Sequence, residues 1–335
     1  MGASDRGQRL DRYVVRALAA TAEPPSRSEI ARWIEAGAVL VDGEPKRAKD
    51  VVKEGSTVTV SPLAPARTTL EPDASVAFDV LHVDDDLVVV LKPAGLVVHP
   101  AAGHATGTLV HGLLARGYFQ ELGEESDEEA HARPGIVHRL DKGTSGIMVV
   151  ARTAFARERL KVLFAAHDIE RAYDALVVGA PRGGTIRSLH GRHPTDRLKF
   201  TGKVTRGRHA VTHVEVVERF GARAALVRCT LETGRTHQIR VHLAESGTPV
   251  LGDPLYGAAP KDRELRVLGT NLGHQALHAR ILGFVHPRTG KRMRFEADWP
   301  ADFAAVAEAL RSTSSAPAGE SARPPRGRRR SPRGS

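Results

Sequence analysis

The stretch GIVHRLDKGTSGIMVVAR, residues 135–152, decides how this chain is read. Arg139 and Asp141 stand between two apolar runs, and Lys142, Gly143, Thr144, Ser145 and Gly146 follow at once. Residues 147–150 read as a short buried strand. Arg139 and Asp141 are two positions apart, so an extended chain points them to the same side. Asp141 is the sole carboxylate within HRLDKGTSG. The two glycines permit close backbone approach. A surface turn with a local ion pair would not need Thr, Ser and two glycines in front of a core strand. A lone carboxylate at the mouth of a buried strand points instead to a site.

Working outward, FDVLHVDDDLVVVLKPAG reads as a hairpin ending at Lys92-Pro93, with Gly95 in the turn and a second apolar run closing at His99-Pro100. By itself this reads equally as a β-turn with a cationic edge and as part of a site. Downstream, AFARERLKVLFAAH has apolar residues at 156, 160, 163 and 164, one face of a helix. RAYDALVVG, HAVTHVEVVERF, AALVRCTLE and LHARILGFVH read as strands. Strand and helix do not alternate regularly. The fold class predicted for residues 76–311 is therefore α+β, with a mixed, mainly antiparallel sheet.

Residues 9–61 form a separate small unit. RLDRYVVRALAA is helical by period, and SRSEIARWIEAG is a second helix with Ser28 as its cap and Gly37 as its stop. Asp42-Gly43 signals a hairpin, and VKEGSTVTV alternates like a strand. Residues 62–75 read as a Pro/Thr-rich linker. FQELGEESDEEAHARPG carries six carboxylates and reads as an exposed acidic loop. Residues 312–335 are low in complexity and read as a disordered arginine-rich tail.

The composition limits the function classes. At 335 residues, 41% of them hydrophobic, about two domains with real cores are expected. The net charge is +10, but the tail holds six arginines against one glutamate, half of that excess. Cys229, the single cysteine, lies in an apolar run and reads as a core residue, which excludes an internal disulfide. No apolar run is long enough to span a bilayer and the N-terminus lacks a signal core, so a cytoplasmic protein is expected. GxxxxGK[ST], GxGxxG, CxxC and HExxH are absent. Neither a metal nor a cofactor is expected, and the chemistry falls to side chains.

Two more constellations stand out. LETGRTHQIRVHLAESGTPVLGDPLYG places Arg235 in a glycine turn, Thr236 as a helix cap, Gly247 as the helix stop and Gly252-Asp253 as a further turn. GRHPTDRLKFTGKVTRGRHA holds Arg192, Arg197, Lys199, Lys203, Arg206 and Arg208 against one acid, Asp196. A charge run of this kind is commonly a solvated face, and it is also the form of a phosphate-tracking stripe.

Taken together these blocks resemble the RluA/RluD-type pseudouridine synthases. HRLDKGTSG resembles the family signature, KPAGLVVHP its first block and ERAYDALVVG its tyrosine strand. TGRTHQIRVHL with GDPLYG resembles its late block, and LHARILGFVHP its closing strand. They occur in the family order over roughly residues 78–300. Residues 9–61 resemble the alpha-L RNA-binding domain, which points to the branch acting on large-subunit ribosomal RNA. HGLL, where many relatives have an asparagine before the leucines, and the acidic insertion are departures.

The resemblance implies conversion of uridine in RNA to pseudouridine, with Asp141 as the carboxylate, Arg235 as its cationic partner and Tyr173 against the flipped base. Arg139 would fill the space that the base leaves. Arg192, Arg197, Lys199 and, in the front unit, Arg9, Arg12, Arg27, Arg32, Lys46 and Arg47 would meet phosphates. The front unit's charge is nearly balanced, ten basic against nine acidic residues over 1–65, so a face of it must carry the contact. RNA, or a pre-ribosomal particle, is the expected partner of a monomer. A transfer-RNA synthase of the same family and a catalytically silent assembly factor are the competing readings. A glycoside hydrolase would usually need two flanking carboxylates, and only Asp253 offers a second.

Overall fold

The computed structural model describes residues 7–21, 24–63, 70–100, 103–119, 134–257 and 259–314. They fall into two units divided after residue 69. The acidic insertion at 120–133 and the tail from 315 lie outside the described residues.

In the first unit, helices α1 (Leu10–Ala17) and α2 (Arg27–Glu35) cover a three-stranded sheet of β1 (Val39–Val41), β2 (Glu44–Pro45) and β3 (Val58–Val60), ordered β2-β1-β3. Leu10, Val14, Ile30, Trp33, Ile34, Val39, Val41 and Val52 make its core. The β1–β2 turn is Asp42-Gly43, both at positive φ, as a tight hairpin requires. The cap of α2 is Ser26, not Ser28, which lies inside the helix. The Ser26 hydroxyl accepts from the Glu29 N–H, and the Glu29 carboxylate accepts from the Ser26 N–H at 2.6 Å. That reciprocal box needs a three-residue spacing, which only Ser26 has.

The second unit is built on one ten-stranded sheet. Its strands are β4 (Asp79–Val83), β5 (Leu87–Lys92), β6 (Ser145–Ala151), β7 (Glu170–Val178), β8 (Gly184–Arg192), β9 (Phe200–Thr201), β10 (Arg208–Phe220), β11 (Ala224–Leu231), β12 (Leu277–Val285) and β13 (Arg292–Glu296). The order is β4-β5-β6-β12-β7-β11-β10-β8-β9, with β13 also on β12. All pairs are antiparallel except β6–β12. Among the described residues five helices complete the unit: α3 (Leu109–Ala115), α4 (Ala154–Ala165), α5 (Gln238–Glu245), α6 (Arg263–Leu272) and α7 (Ala301–Ser314). The expected mixed, mainly antiparallel α+β sheet is what forms. Two edges of it differ from expectation. Residues 70–75, read as linker, are tied to this unit by the Asp73 N–H donating to the His111 carbonyl. Helix α7 runs three residues beyond 311.

Strands β5 and β6 are buried on both faces. Val88, Val90, Met148 and Val150 enter one core, while Leu87, Val89, Ile147 and Val149 enter another that α4 covers through Ala156 and Leu160. This is why both read as unbroken apolar runs rather than alternating ones. The parallel β6–β12 contact pairs Gly146 with Ala279. Gly146 has φ of 125°, and a Cβ there would lie 2.3 Å from the Ala279 carbonyl oxygen. That crowding fixes glycine at the position where the Asp141 loop enters the central sheet.

Candidate active site

Asp141 lies at the end of the loop before β6, on the wall of a cavity of about 470 Å³. Its backbone is fixed from two sides. The Thr144 N–H donates to the Asp141 carbonyl, and the Lys142 carbonyl accepts from the Gly95 N–H. Lys92, at the end of β5, is no cationic edge: it is completely buried. Its ammonium donates to the carbonyls of Pro93 (2.9 Å), Leu96 (2.8 Å) and Lys142 (3.3 Å). Burial pulls Lys92 down to about 7, against the opposing pull of the Asp141 charge. The first block and the signature loop are thus clamped together.

The cation on Asp141 is Arg240, which corrects the expectation of Arg235. Arg240 stands in α5, nearly all of whose residues are buried. Its Nη1 donates to Asp141 Oδ2 at 2.9 Å, while Nε and Nη2 grip Asp253 at 2.7 and 2.8 Å. One planar guanidinium therefore holds two carboxylates, a geometry that lysine lacks. Burial works against the Arg240 charge, but the hydrogen bonds and charges of Asp253 and Asp141 outweigh it and hold the cation firmly. For Asp253, burial is likewise outweighed by Arg240 and by the N–H groups of Tyr256 and Leu255, leaving its carboxyl below the usual range. Arg235 lines the same cavity, but its Nε donates to the His209 carbonyl at 3.0 Å.

Helix α5 is placed by side chains of its first turn. Gln238 accepts from the Thr233 hydroxyl and the Arg235 N–H, and donates to the Val211 carbonyl and the Thr212 hydroxyl. The helix cap is His237 in the left-handed region (φ 59°), not Thr236. Such a conformation in a residue other than glycine is strained and must be held by its surroundings. The holder is Tyr256: its hydroxyl accepts from the Phe200 N–H and lies 2.8 Å from His237 Nδ1. The Tyr256 proton is then free for Nδ1, which leaves the imidazole proton on Nε2, 3.9 Å from Asp141 Oδ1. Burial holds His237 below its ordinary value, so it is neutral near pH 7. Tyr256→Phe removes the hydroxyl's bonds to both Phe200 and His237; loss of the His237 bond is expected to lower turnover roughly fivefold, the equivalent of about 1 kcal/mol, with folding intact. Steady-state kinetics and a melting curve check both parts.

Tyr173 is buried in β7 and faces the cavity, where burial raises its hydroxyl above the ordinary value. Arg139 lines the cavity and is exposed. His138 is turned inward: it stacks on Phe164 at 4.6 Å and its Nε2 accepts from the Val149 N–H. Burial, aided by the Arg171 charge, pushes it down to about 3. The structure thus gathers Asp141, Tyr173, Arg139 and Arg235 around one cavity.

The predicted phosphate contacts are not among the residues that line this cavity. Arg192 covers the Phe200 ring at 4.3 Å and donates to the Arg197 carbonyl, and Lys199 pairs with Asp196 at 3.8 Å. In the first unit, Arg9 pairs with Asp11 and Lys46 with Glu44, both at the surface, where such pairs are weak. Arg12 and Arg47 give backbone N–H groups to Asp11 and Asp50, and Arg27 and Arg32 belong to α2. Cys229 is buried, and burial pushes its thiol up to about 12, which suits a core residue. No group of three or more metal-ligating side chains is found among the described residues, and no helix there is long and apolar enough to cross a membrane.

Known proteins are similar to this chain. Residues 86–245 match the RNA pseudouridylate synthase family and residues 8–58 the S4 domain. The chain is 46% identical over 295 residues to the ribosomal large subunit pseudouridine synthase D of Xanthomonas campestris pv. campestris, covering 86% of each chain. It is 42% identical to an uncharacterized RNA pseudouridine synthase of Bacillus subtilis, over 91% of this chain and 95% of that one. Among solved structures, human RNA Pseudouridylate Synthase Domain Containing 4 is similar with a TM-score of 0.51 and 26% identity, over 70% of this chain and 93% of that one. Identity at this level along most of both chains, over a buried carboxylate site in the matching segment, shows that the protein belongs to the RNA pseudouridylate synthase family and is an RNA pseudouridine synthase, an isomerase.

Proposed function

We propose that the protein converts uridines of large-subunit ribosomal RNA to pseudouridine, with Asp141 as the catalytic carboxylate. One observation carries the site assignment: an aspartate at a cavity wall, hydrogen-bonded and oriented by a buried arginine that a second aspartate locks in place. The relatives named for large-subunit ribosomal RNA carry the choice of substrate.

The reaction breaks the N1–C1′ bond of uridine, turns the base and forms a C5–C1′ bond. The C5 proton leaves and N1 ends protonated, so the product is an isomer and no cofactor is consumed. Asp141 works on the ribose side of the bond, held and oriented by Arg240. A stacked uridine is out of reach, so the base is extruded at a cost of a few kcal/mol. Arg139 takes the vacated space, where a planar guanidinium can stack and donate at once. Tyr173 lies against the extruded base. Arg192, Arg197 and Lys199, with Arg9, Arg12, Arg27, Arg32, Lys46 and Arg47 of the S4 domain, meet phosphates. The enzyme works as a cytoplasmic monomer on ribosomal RNA or an assembling subunit.

Removing residues 1–69 is expected to weaken RNA binding at least tenfold and to reduce its salt dependence, with turnover surviving at high RNA concentration. A filter-binding titration at several salt concentrations checks this. The substrate is tested by treating large-subunit ribosomal RNA and transfer RNA with the purified protein and mapping pseudouridine in both. Pseudouridine in the ribosomal RNA is expected. Its appearance in transfer RNA alone would overturn the substrate, and its absence from both would favour an assembly factor.

A further inference from the structure

Among the described residues, Arg171 and Arg235 are cations without a counter-charge. Arg171 stands two residues before Tyr173 on β7, so both side chains face the cavity. It is only 7% exposed. Among the described residues no carboxylate meets it. Its Nη2 donates to the Glu232 carbonyl at 3.2 Å, and its Nε is buried without a hydrogen-bond partner. The neighbouring acids are engaged elsewhere: Glu170 with Arg294 at 3.2 Å, and Glu232 with His213 at 2.7 Å.

Arg235 lines the same cavity, also without a carboxylate among the described residues, and gives its Nε to a carbonyl. The two arginines meet at the 232–235 turn. A Cβ on Gly234 would lie 2.7 Å from Arg171 Nη1, so Arg171 backs directly onto the turn that presents Arg235. They also repel: after burial, the charges of Arg208 and Arg171 weaken Arg235's hold on its proton. Taking a cation such as Arg171 out of water without a counter-charge is costly, and a neutral carbonyl does not offset it. An anion brought by the ligand does, and the anion that RNA carries is the phosphodiester.

We infer that Arg171 and Arg235 form a two-guanidinium clamp for one phosphodiester of the RNA strand entering the cavity, beside the target uridine. The clamp rests on the proposed reading of the cavity as a uridine site. It is a binding device, distinct from the Arg240–Asp141 pair. Two planar forks suit the oxygens of a single phosphate.

The test is a binding titration of the full-length protein with the large-subunit ribosomal RNA hairpin it binds most tightly. The hairpin is used unmodified and with one neutral methylphosphonate placed at each loop linkage in turn. One linkage is expected to cost the wild type about tenfold or more in affinity, and the same change to be silent in Arg171→Gln and in Arg235→Gln. Each variant should lower the salt slope by roughly 0.7, the share of one single-strand phosphate. Arg235 is partly exposed, so Arg235→Gln keeps the test standing if Arg171→Gln fails to fold. Equal methylphosphonate penalties in wild type and Arg235→Gln at every linkage would overturn the clamp. Tritium release from the unmodified hairpin reports the reaction separately. Release without the coupling would sink the clamp alone, and coupling without release would support the clamp and sink the reaction at this RNA.

Discussion

Arg240→Met should be the most damaging single substitution in the site, costing about 3–5 kcal/mol of stability and nearly all turnover. The methionine fills much of the volume but strands Asp253, which is fully buried, and releases Asp141. Arg240→Lys separates the two effects. A single ammonium can face one of the carboxylates but cannot fork to both, so the protein is expected to fold and bind RNA while turnover falls about 10²-fold. The stability difference between wild type and Arg240→Met should also depend on pH. The folded carboxyl of Asp253 is depressed, so its contribution is complete above the unfolded value of about 3.9 and is lost as pH falls through the folded one. Urea unfolding at pH 7 and at pH 3 should therefore show a large difference at pH 7 that shrinks in acid. An equal difference at both would mean that the pair is not the source.

Asp141→Asn should do the opposite: little loss of stability, with turnover down about 10²–10⁴-fold. Asp253 still neutralises Arg240 after the change, so no buried cation is left stranded. The amide keeps the shape of the carboxylate and loses its charge. RNA binding should be unchanged within a few-fold, because Asp141 is one acid in a cavity wall rich in arginine. A fall in affinity that matched the fall in turnover would make Asp141 a binding residue instead. Melting curves, a binding titration and single-turnover rates on the same preparations distinguish these cases.

The reading of residues 135–152 carried far because β5 and β6 are buried on both faces and look alike in sequence and structure. The glycines of the signature loop were legible through close approach: Gly146 abuts the β12 backbone, so no larger residue fits there, and Gly143 abuts the Gln275 amide. Arg240 was not legible as the partner of Asp141. TGRTHQIR offers two arginines five apart, and the turn arginine looks more available than one inside a helix. The signal was present in α5, whose neighbours on every side are apolar or buried: an arginine there must find a carboxylate, and GDPLYG supplies one thirteen residues on. Helix α3 was hidden by Gly112, a poor helix former that is needed because a Cβ would strike Val76 and Phe78 at 2.8 Å. His237 and Tyr256 were invisible as a pair, since their contact depends on a left-handed cap that no local pattern announces.

Tritium release from large-subunit ribosomal RNA labelled at uracil C5 tests the central claim most directly, because that hydrogen leaves only if the carbon becomes bonded to ribose. Wild type should release tritium and Asp141→Asn should release none above background in the same time. Undiminished release by Asp141→Asn would contradict the account and remove the carboxylate from the reaction.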